Sequence, residues 1–106
     1  MEVFGSSGIR GVVGEELVPA DAVRVAQAAA DVFDTGRVAV ARDTRRTGGM
    51  LVNAVASGLA SVGCDVDRAG VVPTPGLQVY CSHETVPGVM VTASHNPPEF
   101  NGIKLV

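Results

Sequence analysis

The sequence predicts a three-layer α/β/α fold, built on a mostly parallel mixed sheet of about four strands with a short antiparallel edge strand. Two observations favour this class. Short apolar stretches typical of buried strands alternate along the chain with segments of helical periodicity, and strands that alternate with helices form a sheet covered on both faces. A length of 106 residues also suits one domain with one core.

Three helices are predicted. Apolar residues recur every three or four positions over residues 21–33, and Pro19 suits the first turn of this helix. A second helix is expected between Thr47, a capping residue type, and Gly63, which favours a helix C-terminus. The third helix is expected over residues 74–82, where a Thr-Pro pair provides the start.

The strands are predicted between and after these helices. Each is a short apolar or alternating stretch of the length that strands usually have. The predicted strands cover residues 37–41, 64–68, 86–92 and 103–106.

Composition excludes several classes of protein. The formal net charge of −3 and a pI near 5.2, with no basic stripe, argue against a nucleic-acid-binding surface. No apolar run approaches the roughly 20 residues that cross a bilayer, so no membrane association is expected. No secretory leader is recognisable at the start, and we therefore expect a cytoplasmic protein. Cys64 and Cys81 lie in apolar surroundings and are expected to be buried thiols rather than a disulfide.

Polar segments follow three of the predicted strands. Arg42 and Asp43 follow the first, residues 70–75 the second and residues 93–95 the third. Ligands of open α/β sheets bind beyond the carboxyl ends of the strands. The sequence therefore predicts a ligand site where these three loops meet.

A glycine-rich segment, FGSSGIRG at residues 4–11, is predicted to form a loop near this edge. Its glycines permit positive φ and close approach of backbone N–H groups to an anion, and Arg10 offers a forked donor to phosphate. The spacing matches neither the dinucleotide fingerprint nor a P-loop. An ordinary turn near the N-terminus is the alternative interpretation.

Two further segments have structural alternatives. Residues 42–47, RDTRRT, can be a solvated loop, or Asp43 can pair with Arg10 or Arg45 and orient a phosphate-facing guanidinium. Residues 73–75, Pro-Thr-Pro, are predicted to fix a rigid turn into the third helix.

Ser94 is the strongest candidate for chemistry. Asn96 and Pro97 prevent a helix from starting directly behind it, so capping is a poor explanation for this serine. A serine-hydrolase elbow requires glycines on both sides, where Ala93 and His95 stand. Phosphoryl transfer requires an exposed oxygen, nearby cations and accurate placement, which fits a loop that carries His95 and precedes Lys104. We therefore interpret Ser94 as a hydroxyl that carries a phosphoryl group.

The chain resembles the α-D-phosphohexomutase superfamily, which includes phosphoglucomutase, phosphomannomutase and phosphoglucosamine mutase. The resemblance spans the chain in order and is most specific at TASHNP. The segments that carry it are FGSSGIRG at 4–11, ARDTR at 41–45, PTP at 73–75 and TASHNPPEFNGIK at 92–104.

The resemblance implies roles for individual residues. Ser94 would be the phosphoserine that exchanges a phosphoryl group with the C1 and C6 hydroxyls of a hexose phosphate through a hexose bisphosphate, and its phosphate would be one ligand of Mg²⁺. Arg10 would neighbour it, and His95 and Lys104 would assist proton movement and charge balance. Arg10 and Lys104 are also expected to bind the phosphate or substrate, together with Ser7 and Asn96.

The resemblance extends to the first of the family's four domains only. The Asp-Gly-Asp-Gly-Asp loop that supplies the other Mg²⁺ ligands belongs to the second domain and is not found in residues 1–106. We therefore expect domain I of a larger enzyme, inactive alone, with the remaining domains as partners and self-association of the exposed apolar fragment as a further expectation. The sugar is left open between glucose, mannose and glucosamine phosphates, with a preference for the last two.

Two other classes are retained as alternatives. One is a non-catalytic module that binds phosphate or another protein, which would gain no phosphate from a sugar bisphosphate. The other is a fragment of an inactive parent, which would lack the Asp-rich metal loop.

Overall fold

The chain builds one mixed sheet, with helices on both of its faces. The computed structural model describes residues 2–4 and 8–106. The strands are β1 (Glu2–Phe4), β2 (Gly8–Val12), β3 (Arg37–Arg42), β4 (Asp65–Val71), β5 (Gly88–Val91) and β6 (Phe100–Leu105). The helices are α1 (Pro19–Phe33), α2 (Gly48–Ser61) and α3 (Thr74–Glu84).

Over the described residues the strand order is β1-β2-β6-β5-β3-β4. β3 pairs in parallel with β4 and β5, whereas the β1–β2, β2–β6 and β5–β6 pairs are antiparallel. The predicted α/β/α class is confirmed. The sheet has six strands where about four were expected, and the additional strands make its antiparallel part larger.

The two faces of the sheet have separate cores. α1 and α2 pack on one face, where Val38, Val40, Val89 and Val91 point toward them. α3 packs on the other face against Ala39, Ala41 and Met90. α1 and α2 approach closely at Gly58, where an added Cβ would lie 2.6 Å from the Val23 carbonyl oxygen. The small residues in the sequence therefore permit the tight layers that the composition predicted.

The glycine-rich segment differs from its prediction as a loop. Residues 8–11 belong to strand β2, with Ile9 buried against the α1 side of the sheet. Gly8 has φ 145°, and a Cβ there would lie 1.8 Å from the Ile103 carbonyl oxygen. Glycine is required at this position because the backbone of β2 approaches β6 so closely, although glycine is uncommon in strands.

The helix ends follow the predicted signals with one correction. Pro19 begins α1, and the turn of residues 73–75 leads into α3, as expected. Thr47 precedes α2, but its side chain makes no capping bond; its hydroxyl accepts a hydrogen bond from Asn101 Nδ2 at 2.9 Å. Thr47 therefore joins α2 to the buried amide of β6 instead of capping the helix.

The two cysteines are free and buried, as expected. Cys64 packs with the core on the α1 and α2 side, and Cys81 packs with the core under α3. The sheet lies between them, so no disulfide can join them. None of the helices in the described residues is both long and apolar enough to cross a membrane.

A polar cluster joins α3 to the edge of the sheet. Arg37 Nη2 lies 2.6 Å from Asp67 Oδ2 and 2.9 Å from Glu84 Oε1, and the Tyr80 hydroxyl donates to Asp67 Oδ2 at 2.9 Å. The hydrogen bond from Arg37 lowers the pKa of the Asp67 carboxyl below its usual 3.8. The hydrogen bond to Asp67 raises the pKa of the Tyr80 hydroxyl above its usual 10.0.

This cluster predicts a dependence of stability on acid pH. A carboxyl whose pKa is lower in the folded state stabilises the fold above its unfolded pKa, and this contribution is lost as pH falls through the folded pKa. In Asp67→Asn, the free energy of unfolding should therefore fall less steeply than in the wild type as pH decreases below about 4. Urea unfolding between pH 2 and 7 measures this. Asp31→Asn, at an exposed position of α1, is the control and should keep the wild-type slope; equal slopes for Asp67→Asn and wild type would contradict the prediction.

Candidate active site

Ser94 lies exposed on the loop that follows β5. Its φ is 52°, in the left-handed region that residues with a side chain rarely occupy. Such a conformation costs on the order of 1–3 kcal/mol and persists only where surrounding contacts stabilise it. The Ser94 N–H donates to Thr92 Oγ1 at 3.1 Å, which is one of those contacts.

The serine lies at the edge of a cleft of about 200 Å³. The cleft is formed by β2, β6 and the start of the Ser94 loop. Its lining residues are Gly8, Ile9, Arg10, Thr92, Ala93, Ser94, Ile103 and Lys104.

Strand register brings the two cations of this cleft together. Arg10 is opposite Gly102 and Gly8 is opposite Lys104 in the antiparallel β2–β6 pair. Opposite residues share a face of the sheet, so Arg10 and Lys104 are diagonal neighbours on one face. A Cβ on Gly102 would lie 2.9 Å from the Arg10 Cβ and 2.7 Å from the Thr92 carbonyl oxygen. Glycine at 102 therefore leaves room between β2 and the strand end that leads to Ser94.

The cleft is suited to an anion. Arg10 is half-buried, and its Nη1 donates to Asn96 Oδ1 at 2.9 Å, so the Asn96 amide orients the guanidinium. Lys104 is exposed on β6. None of the described residues that line the cleft is acidic. A concave surface with cations of one sign concentrates anions, and an exposed hydroxyl lies beside it.

The loops after β3 and β5 meet as predicted. Asp43 Oδ2 accepts a hydrogen bond from the Thr92 hydroxyl at 2.6 Å. The loop after β4 reaches the same edge, since the Val72 N–H donates to the Arg42 carbonyl at 3.1 Å, but its residues do not line the Ser94 cleft. Two of the three predicted loops therefore build the site.

Arg45 has a position that the sequence did not predict. Asp43 pairs with Arg45, whose Nε lies 3.4 Å from Asp43 Oδ2. The guanidinium does not face the cleft between Arg10 and Lys104. Instead, its two terminal nitrogens donate to backbone carbonyls of the Ser94 loop, at Ser94, Asn96, Pro97 and Phe100. The hypothesis of a phosphate-facing guanidinium at this position is thus replaced by one that binds the loop backbone.

A comparison with protein families agrees with this geometry. The family model described as phosphoglucomutase/phosphomannomutase, alpha/beta/alpha domain I, matches residues 1–106. The chain belongs to this family. The match covers the β3 and β5 loops and both strands of the cleft, so the resemblance noted from the motifs is confirmed over the whole chain.

Related proteins in this family carry mutase names. A phosphoglucosamine mutase of Thermosipho africanus is 46% identical over 106 residues, which are 100% of this chain and 24% of the relative. A probable phosphoglucosamine mutase of Methanopyrus kandleri is 55% identical over 102 residues, 95% of this chain and 23% of the relative. A crystal structure of a phosphomannomutase from Thermus thermophilus, titled putative, superposes with a TM-score of 0.88 at 37% identity, covering 97% of this chain and 25% of that one. The chain therefore spans about a quarter of the length of these relatives.

The structure places the other predicted site residues of this phosphohexomutase domain as follows. Asn96 lies beside the cleft and contacts Arg10. His95 is exposed on the loop but is not among the residues that line the cleft. Ser7 lies outside the described residues. Ser94, Arg10, Lys104 and Asn96 are thus brought together.

The described residues of this family member do not form a metal site by themselves. In that part of the chain, no group of three or more His, Cys, Asp or Glu side chains is placed to hold a metal ion. Asp43, the carboxylate nearest Ser94 in the described network, is bound to Thr92 and paired with Arg45. A divalent cation would need carboxylate ligands from outside these residues.

Proposed function

We propose that this chain is the phosphoserine-bearing domain of a phosphohexomutase. The observation that carries this proposal is the exposed Ser94 hydroxyl at the edge of a cleft lined by Arg10 and Lys104. An exposed oxygen beside two cations is what phosphoryl transfer asks of the protein, because this chemistry depends on placement and charge stabilisation.

In the proposed reaction, the phosphoryl group passes between Ser94 Oγ and the sugar. The bond from phosphorus to Ser94 Oγ breaks as a bond to a sugar hydroxyl oxygen forms, and that hydroxyl loses its proton. The hexose bisphosphate then returns its other phosphoryl group to Ser94, which releases the isomeric monophosphate. Each transfer is reversible and leaves the total number of phosphoryl groups unchanged.

The cleft residues have distinct proposed roles. Arg10, oriented by Asn96, stabilises the phosphate on Ser94 with its forked donors. Lys104 neutralises charge at the reacting oxygens and exchanges a proton with the sugar hydroxyl. His95 assists this proton movement, and Ser7 contributes a phosphate contact. These roles follow the motif resemblance, and the placement of Arg10, Lys104 and Asn96 supports them.

Mg²⁺ is part of the proposal as a cofactor of the parent enzyme. When bound, it would offset the negative charge of the phosphoryl group. The chain contributes one ligand, the phosphate oxygen on Ser94, and the remaining domains of the parent contribute the others. For this reason we propose that residues 1–106 alone do not turn over.

The proposed substrate is a hexose phosphate, with glucosamine or mannose phosphate preferred. This preference is supported by the names of the relatives, which are phosphoglucosamine mutases and a protein titled putative phosphomannomutase. A cytoplasmic location is proposed together with this metabolic role.

A mutase assay of the parent enzyme tests the proposed function. The parent should convert glucosamine 1-phosphate or mannose 1-phosphate to the 6-phosphate in the presence of the corresponding 1,6-bisphosphate. Residues 1–106 alone should not. Removal of divalent cations with EDTA should stop turnover, and added Mg²⁺ should restore it. A folded parent with no turnover of glucose, mannose or glucosamine phosphates would contradict the proposal.

A further inference from the structure

We propose that Arg45 is a positioning residue for phosphoryl transfer: its guanidinium fixes the backbone conformation in which Ser94 presents its hydroxyl. The inference rests on the proposed function of Ser94 and adds a residue that does not line the cleft. It is carried by the contacts of Arg45, by its burial and by its connection to the Ser94 amide through Asp43 and Thr92.

The contacts of Arg45 span the whole loop. Nη2 donates to the carbonyl oxygens of Ser94 and Asn96, both at 2.8 Å. Nη1 donates to the carbonyl oxygens of Pro97 at 2.7 Å and Phe100 at 3.1 Å. One planar group thus binds four carbonyls, from the serine itself to the first residue of β6.

Burial makes this contact specific to arginine. The Arg45 side chain is only 12% exposed, and its Nε is a buried nitrogen that faces Asp43 at 3.4 Å without a geometrically good hydrogen bond. Asp43 Oδ1 also accepts the Arg45 backbone N–H at 3.0 Å. The carboxylate therefore neutralises the guanidinium and fixes its base. A lysine ammonium has three donors at one point and cannot bind four carbonyls in this arrangement.

The same carboxylate reaches the serine amide. The Thr92 hydroxyl donates to Asp43 Oδ2 at 2.6 Å and accepts the Ser94 N–H at 3.1 Å. Arg45 therefore binds the carbonyl of Ser94, while Asp43 acts through Thr92 on its N–H. Both peptide groups that flank the Ser94 side chain are held by one connected network.

This network explains how Ser94 keeps a disfavoured conformation. At φ 52°, the residue would relax toward the broad β region if its two peptide groups were released. Relaxation would move Oγ away from Arg10 and Lys104. Since displacement of a reacting atom by about 1 Å can reduce a rate about 100-fold, Arg45 should affect turnover without touching substrate.

Arg45→Lys in the full parent enzyme is the test. The substitution keeps the charge but removes the planar donors. We expect kcat per Ser94 that can be phosphorylated to fall about 10- to 100-fold, with KM for the sugar phosphate changed less than about 2-fold. Sites are counted by the phosphate incorporated from glucose 1,6-bisphosphate. Arg24→Lys, at a 75% exposed side chain of α1, is the matched control and should keep wild-type kinetics.

Normalisation to sites separates positioning from general stability. A residue that only stabilised the fold would lower the melting temperature and the number of sites, but not kcat per site. If Arg45→Lys does not fold, Thr92→Val decides: a lower kcat at unchanged KM supports the network, and wild-type kcat overturns it. Wild-type kcat per site in a folded Arg45→Lys enzyme would also overturn the inference.

The outcome is distinguishable from failure of the proposed function. If Ser94→Ala remains active, the phosphoserine assignment itself is wrong. If Ser94→Ala is inactive but Arg45→Lys behaves as wild type, only the role of Arg45 is wrong.

Discussion

Ser94→Ala should abolish turnover of the full-length parent, with a loss of at least about 10⁴-fold in kcat, because no other group can accept and return the phosphoryl. The fold should be retained. The side chain is exposed, and substitutions at such positions usually change the free energy of unfolding by no more than about 0.5 kcal/mol. The coupled mutase assay and thermal unfolding measure the two quantities.

Ser82→Ala is the matched control for this prediction. Ser82 is exposed on α3, which packs on the sheet away from the Ser94 cleft, and its substitution should leave kcat and the melting temperature near wild type. Near-wild-type turnover by Ser94→Ala would remove the phosphoserine assignment and with it the proposed mechanism.

Lys104→Ala is expected to have the second largest effect. Lys104 is the only lysine in the chain, and it lines the cleft with Ser94 and Arg10. Its charge should stabilise the transition state more than the bound substrate, since charge moves onto the bridging oxygens as the phosphoryl group transfers. We expect kcat to fall about 100- to 1,000-fold and KM to rise by less than about 5-fold.

Lys104→Arg separates the charge from the proton. Arginine keeps the positive charge but does not release a proton near neutral pH. If Lys104 only balances charge, Lys104→Arg should recover much of the activity; if it also transfers a proton, recovery should be small. A change in KM alone for Lys104→Ala would reassign this residue to substrate binding.

Much of the fold could be predicted from the sequence because its central part follows regular periodicity. The helical repeat of residues 21–33 corresponds to α1, and the alternation with apolar strands predicted the layers. Strand β2 was missed for a physical reason. Gly8 and Gly11 give the segment the composition of a turn, and its strand conformation depends on tertiary pairing with β6, which local patterns do not encode.

The candidate site was predictable to the extent that its residues lie in one motif. Ser94, Asn96 and Lys104 lie within 11 positions of one another, and the end of β5 fixes the edge at which they appear. Arg10 could be expected from its glycine-rich context. Its pairing with Lys104 depends on the β2–β6 register, which only the structure provides.

The role of Arg45 could not be predicted in this way. Its partners are backbone carbonyls, which every residue has, so no side-chain pattern identifies them. The neighbouring Asp43 gave a partial signal, because an acidic residue two positions away can orient a guanidinium. The sequence left open whether that guanidinium would face a phosphate, and the structure places it against the loop backbone instead.

The most direct test of the account is to locate the phosphate on the parent enzyme. The enzyme is incubated with glucose 1,6-bisphosphate, digested, and its phosphopeptides are sequenced by mass spectrometry. We predict one phosphate per chain, on Ser94, which unlabelled hexose monophosphate removes at a rate no slower than kcat. Phosphate on a different residue, or full turnover by an enzyme that never acquires phosphate on Ser94, would contradict the account.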